Sequence, residues 1–404
     1  MSVDLRTRWD TEVRAIAPEA FFDADFPAAL ERNADLLESA AHLPLKPLIV
    51  DVEGAGWTLH RDDTGVTRVS PGRSAAGDRA GEVRLTAGQL SDLVNDQVTP
   101  VGLMTAGTLE LKSGRIGRLL DWWLVLRSVW DGRPVHTPGA VAVPADLGKS
   151  FTQGDDPARL LAYLESAGYL HLRGVFGADE MARISTEMDA AAPSYLRDDG
   201  ASWWATLKDG SQRVVRMQRF QERSPAAAAL LQDPRMARLA GLSGCGHRPQ
   251  WAGRNQVEAL FKPIGVAHGI SDVPWHKDCS LGRHSYNCCS LTVGVSVSGS
   301  GPTSGQLRVI AGSHRALVWP SLLDASKLDL PNVALPTETG DVTVHLSCTL
   351  HMAQPPTERE RRVLYTGFGL PARDAAASAA ANARLYTASR EGAPRNVTQP
   401  VQEN

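Results

Sequence analysis

The sequence predicts an α+β N-terminal domain followed by a double-stranded β-helix, or jelly-roll, domain with flanking helices. Three observations carry that prediction. The stretch 131–154, DGRPVHTPGAVAVPADLGKSFTQG, gathers proline, glycine and small residues between two strongly periodic segments and reads as a linker. Ahead of it, short strands alternate with amphipathic helices. Behind it, two helices give way to many short strands separated by Gly-, Pro- and Ser-rich turns, the pattern of two packed antiparallel sheets. The expected division is 1–145 and 146–404, in keeping with a chain of 404 residues that exceeds one hydrophobic core.

In the first part, residues 82–85 read as a strand, and Thr86 with Gln89 has capping-box spacing for a helix through Val94. Residues 108–111 alternate, Gly114 turns the chain, and 115–130 places Ile116, Leu119, Leu120, Trp123, Leu126 and Trp130 at helical spacing. That helix is apolar on more than one face. The order of elements, with the phrases LTAGQLSDLV and TAGTLELKSGRIGRLLDWW, resembles the sterol carrier protein fold over residues 45–135. The resemblance implies an apolar pocket for a lipid or acyl chain; the alternative is that Trp122, Trp123, Leu124 and Val125 fill a core.

In the second part, Pro157, Leu160, Leu161 and Leu164 predict a helix stopped by Gly168, then a strand at 169–173 and a helix at 179–190. Leu291, Val293, Val295 and Val297 alternate with polar residues, the period of a strand with one buried face. Further strands are expected at 257–261, 306–310, 342–346 and 363–368, and the Ala-rich run 374–381 as a helix or a loosely ordered tract.

A formal net charge of −3 leaves no basic surplus for tracking phosphates, so nucleic acid is not an expected partner. The start of the chain carries charges where a secretion signal needs an apolar core, and no stretch approaches the roughly 18 apolar residues of a membrane span. A cytoplasmic location is expected. The five cysteines, Cys245, Cys279, Cys288, Cys289 and Cys348, form an odd set without CxxC spacing and read as reduced, buried thiols rather than a disulfide framework or a zinc site.

Chemistry enters at Trp275-His276-Lys277-Asp278, where an imidazole and a carboxylate stand two residues apart and, on an extended chain, point to one side. A third ligand is best supplied by His351, at the end of the turn-and-strand GDVTVHLSCTLH. Two histidines and one carboxylate on one face of an octahedral ion leave three positions open, as non-haem Fe(II) oxygenases require. After His351 comes Arg361-Arg362, and a guanidinium there would anchor the far carboxylate of 2-oxoglutarate bidentately. Neighbours on a strand point oppositely, so only one of the two arginines can face the interior.

As an ordered set, Trp275-His276-Lys277-Asp278, Ser304-Gly305, Ala311-Gly312-Ser313-His314, Gly340-Asp341, His351 and Arg362 resembles the phytanoyl-CoA dioxygenase family of Fe(II)- and 2-oxoglutarate-dependent oxygenases across residues 157–370. Ala311 stands where proline is usual and Lys277 where glutamine is common. The resemblance implies Fe(II), 2-oxoglutarate and O2, with His276, Asp278 and His351 as metal ligands. Its spacing favours Arg362 over Arg361 as the anchor, while the family's habit of placing the functional arginine first in a basic pair favours Arg361. Lys262 and Thr349 are further cosubstrate candidates, and Trp275, Trp204, Arg216, Gln218 and His268 are substrate candidates, with Trp203 in the same stretch. His284, His345 and His314 are expected to lack metal contact.

The expected activity is hydroxylation of a C–H bond in a hydrophobic small molecule, such as a lipid, acyl-linked, steroid or terpenoid compound, with release of CO2 and succinate. Asp278 disfavours halogenation, since halogenating relatives lack that carboxylate. Two rival readings are a lipid-binding carrier with a catalytically silent barrel and a non-oxidative cupin-type enzyme using zinc or manganese.

Overall fold

The computed structural model describes residues 14–379 apart from 63, 74–79, 198, 250–256, 270–273, 282–287, 323 and 378. His284 and the end of the Ala-rich run lie outside the described residues.

The N-terminal body opens with helical turns over Pro18–Arg32, one of them a wide turn at Phe21–Asp25, which the sequence reading did not anticipate. Their purpose is aromatic: Phe21, Phe22 and Phe26 are buried, with Phe21 stacked on Phe26 at 5.4 Å and Phe22 on Trp57 at 4.9 Å. A five-stranded sheet follows, formed by Leu48–Val52, Ala55–Arg61, Thr67–Pro71, Gly81–Leu85 and Glu110–Ser113 in the spatial order third, second, first, fourth, fifth. The first and fourth strands pair in parallel and the others antiparallel. The helix Ala87–Val94 starts at the expected capping box, with Thr86 Oγ1 accepting from Gln89 N and Gln89 Oε1 accepting from Thr86 N.

The helix Ile116–Asp131 buries Leu119, Leu120, Trp122, Trp123, Leu124, Val125 and Val129, so both its faces are covered. Trp122 donates to the Lys46 carbonyl at 2.8 Å. Between helix and sheet lies a cavity of about 50 Å³ lined by Phe21, Phe26, Val50, Leu85, Trp122 and Trp123 among other apolar residues. Ligand sites run from about 300 Å³ upward, so in this form these side chains act as a core.

The stretch read as a linker is a strap laid on the second half of the chain. His136 N donates to the Leu317 carbonyl, the Asp329 carboxylate meets His136 Nε2 and Gly139 N at 2.7 Å each, and Tyr163 and Tyr169 donate to the Asp146 and Leu147 carbonyls. Trp319 closes the junction by donating to Asp121 Oδ1 at 3.1 Å. Burial raises the Asp121 carboxyl to about 6, an effect the Trp319 hydrogen bond opposes.

The second half forms two facing sheets. The larger has nine strands, with a path through Val266–His268, Ser202–Leu207, Gln212–Met217, Glu258–Lys262, Arg361–Gly369, Leu291–Ser296, Val342–Leu346 and Tyr169–Leu172, and Arg248–Pro249 paired to Arg361–Gly369. The smaller orders Ser321–Leu322, Trp275–His276, His351–Ala353, Leu307–Ile310 and Asn332–Leu335. Helices Pro157–Ala167, Ala178–Ala191, Pro225–Gln232 and Pro234–Gly241 pack on the face of the large sheet that carries Ala259, Phe261, Val293, Val295, Val344 and Leu364.

The expected helix stop is met by Gly168 at φ +89°, a backbone conformation that favours glycine. Gly340 (φ +87°) is required by closeness as well, because a Cβ there would sit 2.0 Å from the Phe176 carbonyl oxygen. Beside it, Asp341 meets His171 Nε2 at 2.8 Å and accepts from Gly174 N at 2.8 Å, so the Gly-Asp pair fastens the edge of the large sheet. Among the described residues, no helix is long and apolar enough to cross a membrane.

Candidate metal centre

Cross-strand partners share a face, so the register of the large sheet identifies what points away from the helices. Thr292 pairs with His345, Gly294 with Thr343 and with Tyr365, Tyr365 with Glu258, and Lys262 with Arg361. The face toward the smaller sheet is therefore polar and charged, although most of these residues are buried.

Onto this face come the three residues that the sequence singled out. His276 and His351 are direct register partners on adjacent antiparallel strands of the small sheet, with ring centroids 4.3 Å apart. Asp278 follows on the turn after the first of them, and its Oδ1 lies 3.3 Å from His276 Nε2 and 3.5 Å from His351 Nε2. One donor atom from each of the three falls within 4.8 Å of the others.

Both imidazoles are held by their far nitrogens. His276 Nδ1 meets the Pro274 carbonyl at 2.7 Å, and His351 Nδ1 meets the Thr349 carbonyl at 3.0 Å. A carbonyl can only accept, so each Nδ1 carries the proton and each Nε2 presents its lone pair toward Asp278. The carboxylate is oriented too: Asp278 Oδ2 accepts from the Thr292 hydroxyl at 2.8 Å and lies 3.3 Å from His345 Nε2. Burial pushes Asp278 up, but the surrounding His351, His276 and His345 outweigh it and hold the carboxyl well below its ordinary value. Burial, with the neighbouring His345, drives His351 well below the usual imidazole range. The arrangement is a carboxylate bracketed by three imidazoles.

His345, expected to lack metal contact though able to line the pocket, lies beside the centre: its ring is 4.1 Å from that of His351 and its Nε2 3.3 Å from the Asp278 carboxylate. The signal was present in the alternation of Val342–Leu346, which puts Thr343 and His345 on the side opposite Val342, Val344 and Leu346.

The two arginines face opposite sides of the large sheet. Arg362 turns to the helix side, where it donates to Asp189 at 2.7 Å and to the Ser185 hydroxyl at 3.0 Å. Arg361, 2 % exposed, turns inward, donates to the Gly305 carbonyl at 2.8 Å, and keeps an Nε with no hydrogen-bond partner among the described residues. Ser304-Gly305 thus serves to receive a guanidinium.

The other candidates divide. Lys262 is buried beside Arg361 on the inner face. Arg216 pairs with Glu258 on that face, Gln218 Nε2 reaches Glu258 at 3.4 Å, and Arg216 stacks over Trp203 at 4.4 Å. A register shift between Trp203 and Trp204 separates the two indoles, and Trp204 packs on the helix side, lining a cleft with Asp189 and Phe261. Trp275 packs outward with Ile310, Val318 and Leu350, because it alternates with His276. The Thr349 hydroxyl donates to the Gly168 carbonyl at 2.8 Å, which makes it a fastening between helix and site. His314 Nε2 meets the Glu165 carbonyl, a structural contact as expected. His268 is exposed on the edge strand Val266–His268.

No curated protein matches. Among solved structures, AviO1 from Streptomyces viridochromogenes Tue57 is 22% identical, with 54% of this chain and 96% of that chain covered and a TM-score of 0.44. EctD from S. alaskensis, crystallised with 2-oxoglutarate and 5-hydroxyectoine, is 22% identical over 59% of this chain and 86% of that chain, TM-score 0.44. The non-heme alpha ketoglutarate dependent epimerase SnoN from nogalamycin biosynthesis is 24% identical over 55% and 89%, TM-score 0.39. The model of the family described as Phytanoyl-CoA dioxygenase (PhyH) matches residues 164–363. Residues 164–363, which carry His276, Asp278 and His351, are thus similar to the phytanoyl-CoA dioxygenase family.

Proposed function

We propose that the protein is a non-haem iron oxygenase that consumes 2-oxoglutarate and O2, with Fe(II) held by His276, Asp278 and His351. The observation that carries this reading is the donor set itself: two imidazole Nε2 atoms and one carboxylate oxygen within 4.8 Å, each fixed from behind by a backbone carbonyl, a hydroxyl or a third histidine. When bound, iron with these ligands supplies oxidative decarboxylation of 2-oxoglutarate to succinate and CO2, coupled to oxidation of a substrate C–H bond.

The chain's own part is positioning. Arg361 is the anchor for the far carboxylate of 2-oxoglutarate: it is permanently charged, buried, and has an unused N–H. Lys262, its register partner, adds a second positive charge at that end of the barrel. Thr292 and His345 keep the second oxygen of Asp278 occupied, so that the first points to the metal position.

Hydroxylation is the outcome favoured for the C–H bond. A hydrophobic substrate is the first reading, favoured by the apolar character of the N-terminal body and its likeness in element order to a sterol carrier. A polar or anionic substrate is the second reading, favoured by the Arg216–Glu258 pair and by Gln218 on the inner face.

Anaerobic addition of Fe(II) and then 2-oxoglutarate tests the whole reading, because the chelate gives a weak visible charge-transfer band that neither a carrier nor a zinc enzyme produces. His276→Ala and Asp278→Ala are expected to abolish both the band and substrate-dependent succinate release while the fold, followed by circular dichroism, persists. A full band in either variant would remove these residues from the metal. A panel of lipids and of polar metabolites, scored by succinate release with and without residues 1–145, separates the two substrate classes.

A further inference from the structure

We propose that Cys279, Cys288 and Cys348 form a second metal site, for a thiophilic divalent cation of the Zn²⁺ kind, behind the His276–Asp278–His351 centre. Nothing in their spacing along the chain announces it; the fold assembles it. Cys279 lies on the turn Asp278–Leu281, Cys348 on the turn that joins Val342–Leu346 to His351–Ala353, and Cys288 just ahead of the strand Leu291–Ser296. The Cys348 sulfur is 3.0 Å from that of Cys279 and 3.0 Å from that of Cys288, and all three fall within 4.8 Å of one another.

A Zn–S bond of about 2.3 Å holds tetrahedral sulfurs about 3.8 Å apart, so an outward shift of under about 1 Å per contact fits the ion. A disulfide would use two of the sulfurs and strand the third, whereas here Cys348 is shared equally between two neighbours. Lys277, two residues ahead of Cys279, is wholly buried, and its Nζ donates to the Ser313 and Ala316 carbonyls at 3.0 and 3.2 Å. Cys288 and Cys348 are 2 % and 0 % exposed, so the ion would be enclosed on that side.

The site is structural in consequence. Cys279 is adjacent to Asp278, and Cys348 is three residues before His351, so an ion there would tie together the two segments that present these residues. The inference does not depend on the iron reading.

The test uses the full chain, reduced and stripped of metal, titrated with Co²⁺ and then Zn²⁺. Thiolate-bound Co²⁺ has an intense near-ultraviolet charge-transfer band, which a histidine and carboxylate site lacks. The band is expected in the wild type and in His276→Ala, to vanish in Cys288→Ala and Cys348→Ser, and to be displaced by Zn²⁺. Cys245→Ala is expected to keep it; that variant separates the neighbouring group of Cys245, His247 and Cys289, which also lies within 4.8 Å. Should Cys348→Ser fail to fold, Cys279→Ala carries the same comparison. Absence of the band in the wild type, its survival in Cys288→Ala, its loss in Cys245→Ala alone, or a thiol count two short in the untreated denatured protein would each overturn the proposal.

Discussion

The two halves of this chain bury their residues to opposite ends. In the N-terminal body the space between helix and sheet is filled by Phe21, Phe22, Phe26, Trp57, Trp122 and Trp123, and the cavity that remains is about 50 Å³. In the second half the large sheet is apolar on its helix side, while its other face buries Arg361, Lys262, Glu258, Thr343 and His345 beside Leu260 and Val363. A buried aromatic gains from leaving water, while a buried charge costs unless something pairs with it. The first body is organised for stability, and the second gathers buried polar and charged groups on the face toward the small sheet.

That contrast can be broken most forcefully in the N-terminal core. Trp122→Ala should lower unfolding free energy by about 3–5 kcal/mol in denaturant titration, yet leave 2-oxoglutarate affinity unchanged. A parallel loss of affinity would show that the two halves act as one. Next in size, Arg361→Ala should weaken 2-oxoglutarate by about 100-fold or more, as when one partner of a buried charge pair is removed. Arg362→Ala removes a partly exposed ion pair with Asp189 and should change that affinity less than about threefold. The reverse ranking, read from the titration of the visible band, would return the anchor to Arg362.

The junction between the halves should respond to pH. The folded Asp121 carboxyl titrates at about 6 against an ordinary 3.8, so the folded state binds that proton more tightly than the unfolded chain does. Stability therefore falls as pH rises through that window, by about 2–3 kcal/mol, and stays lower above it. Asp121→Asn should flatten the slope in pH-dependent denaturation; an unchanged slope would assign it to other groups. At the metal, His345→Gln is expected to cost about 10–100-fold in Fe(II) affinity with little change in melting temperature.

Much of this was legible in the sequence wherever a local rule applied. Thr86 and Gln89 announced a capping box, the alternation around Val293 and Val295 announced a strand, and Trp275-His276-Lys277-Asp278 placed two ligands on one side. What escaped was set by parity or by distance. Whether Arg361 or Arg362 faces inward depends on how many residues the preceding turn absorbs, and nothing in ERERR fixes that number. The irregularity at Trp203 and Trp204 likewise reversed which indole meets Arg216. The thiol cluster was invisible because residues 279, 288 and 348 meet only once the strands between them have paired. The aromatic helix at the start, with three phenylalanines in six residues, lacked the regular spacing that a helix reading relies on, since part of it is a wide turn.

The strap after residue 131 bears on the order in which this protein can be completed. The partners of His136 and Gly139, Leu317 and Asp329, are made roughly 190 residues later, so a growing chain emerges with the start of the strap still unpaired and the N-terminal core lacking Leu317. Contacts of such separation form late, because the loop between them must be closed first. The end of the strap can therefore dock early, through Tyr163 and Tyr169, while its beginning is a seal set only once Leu317 and Asp329 are in place.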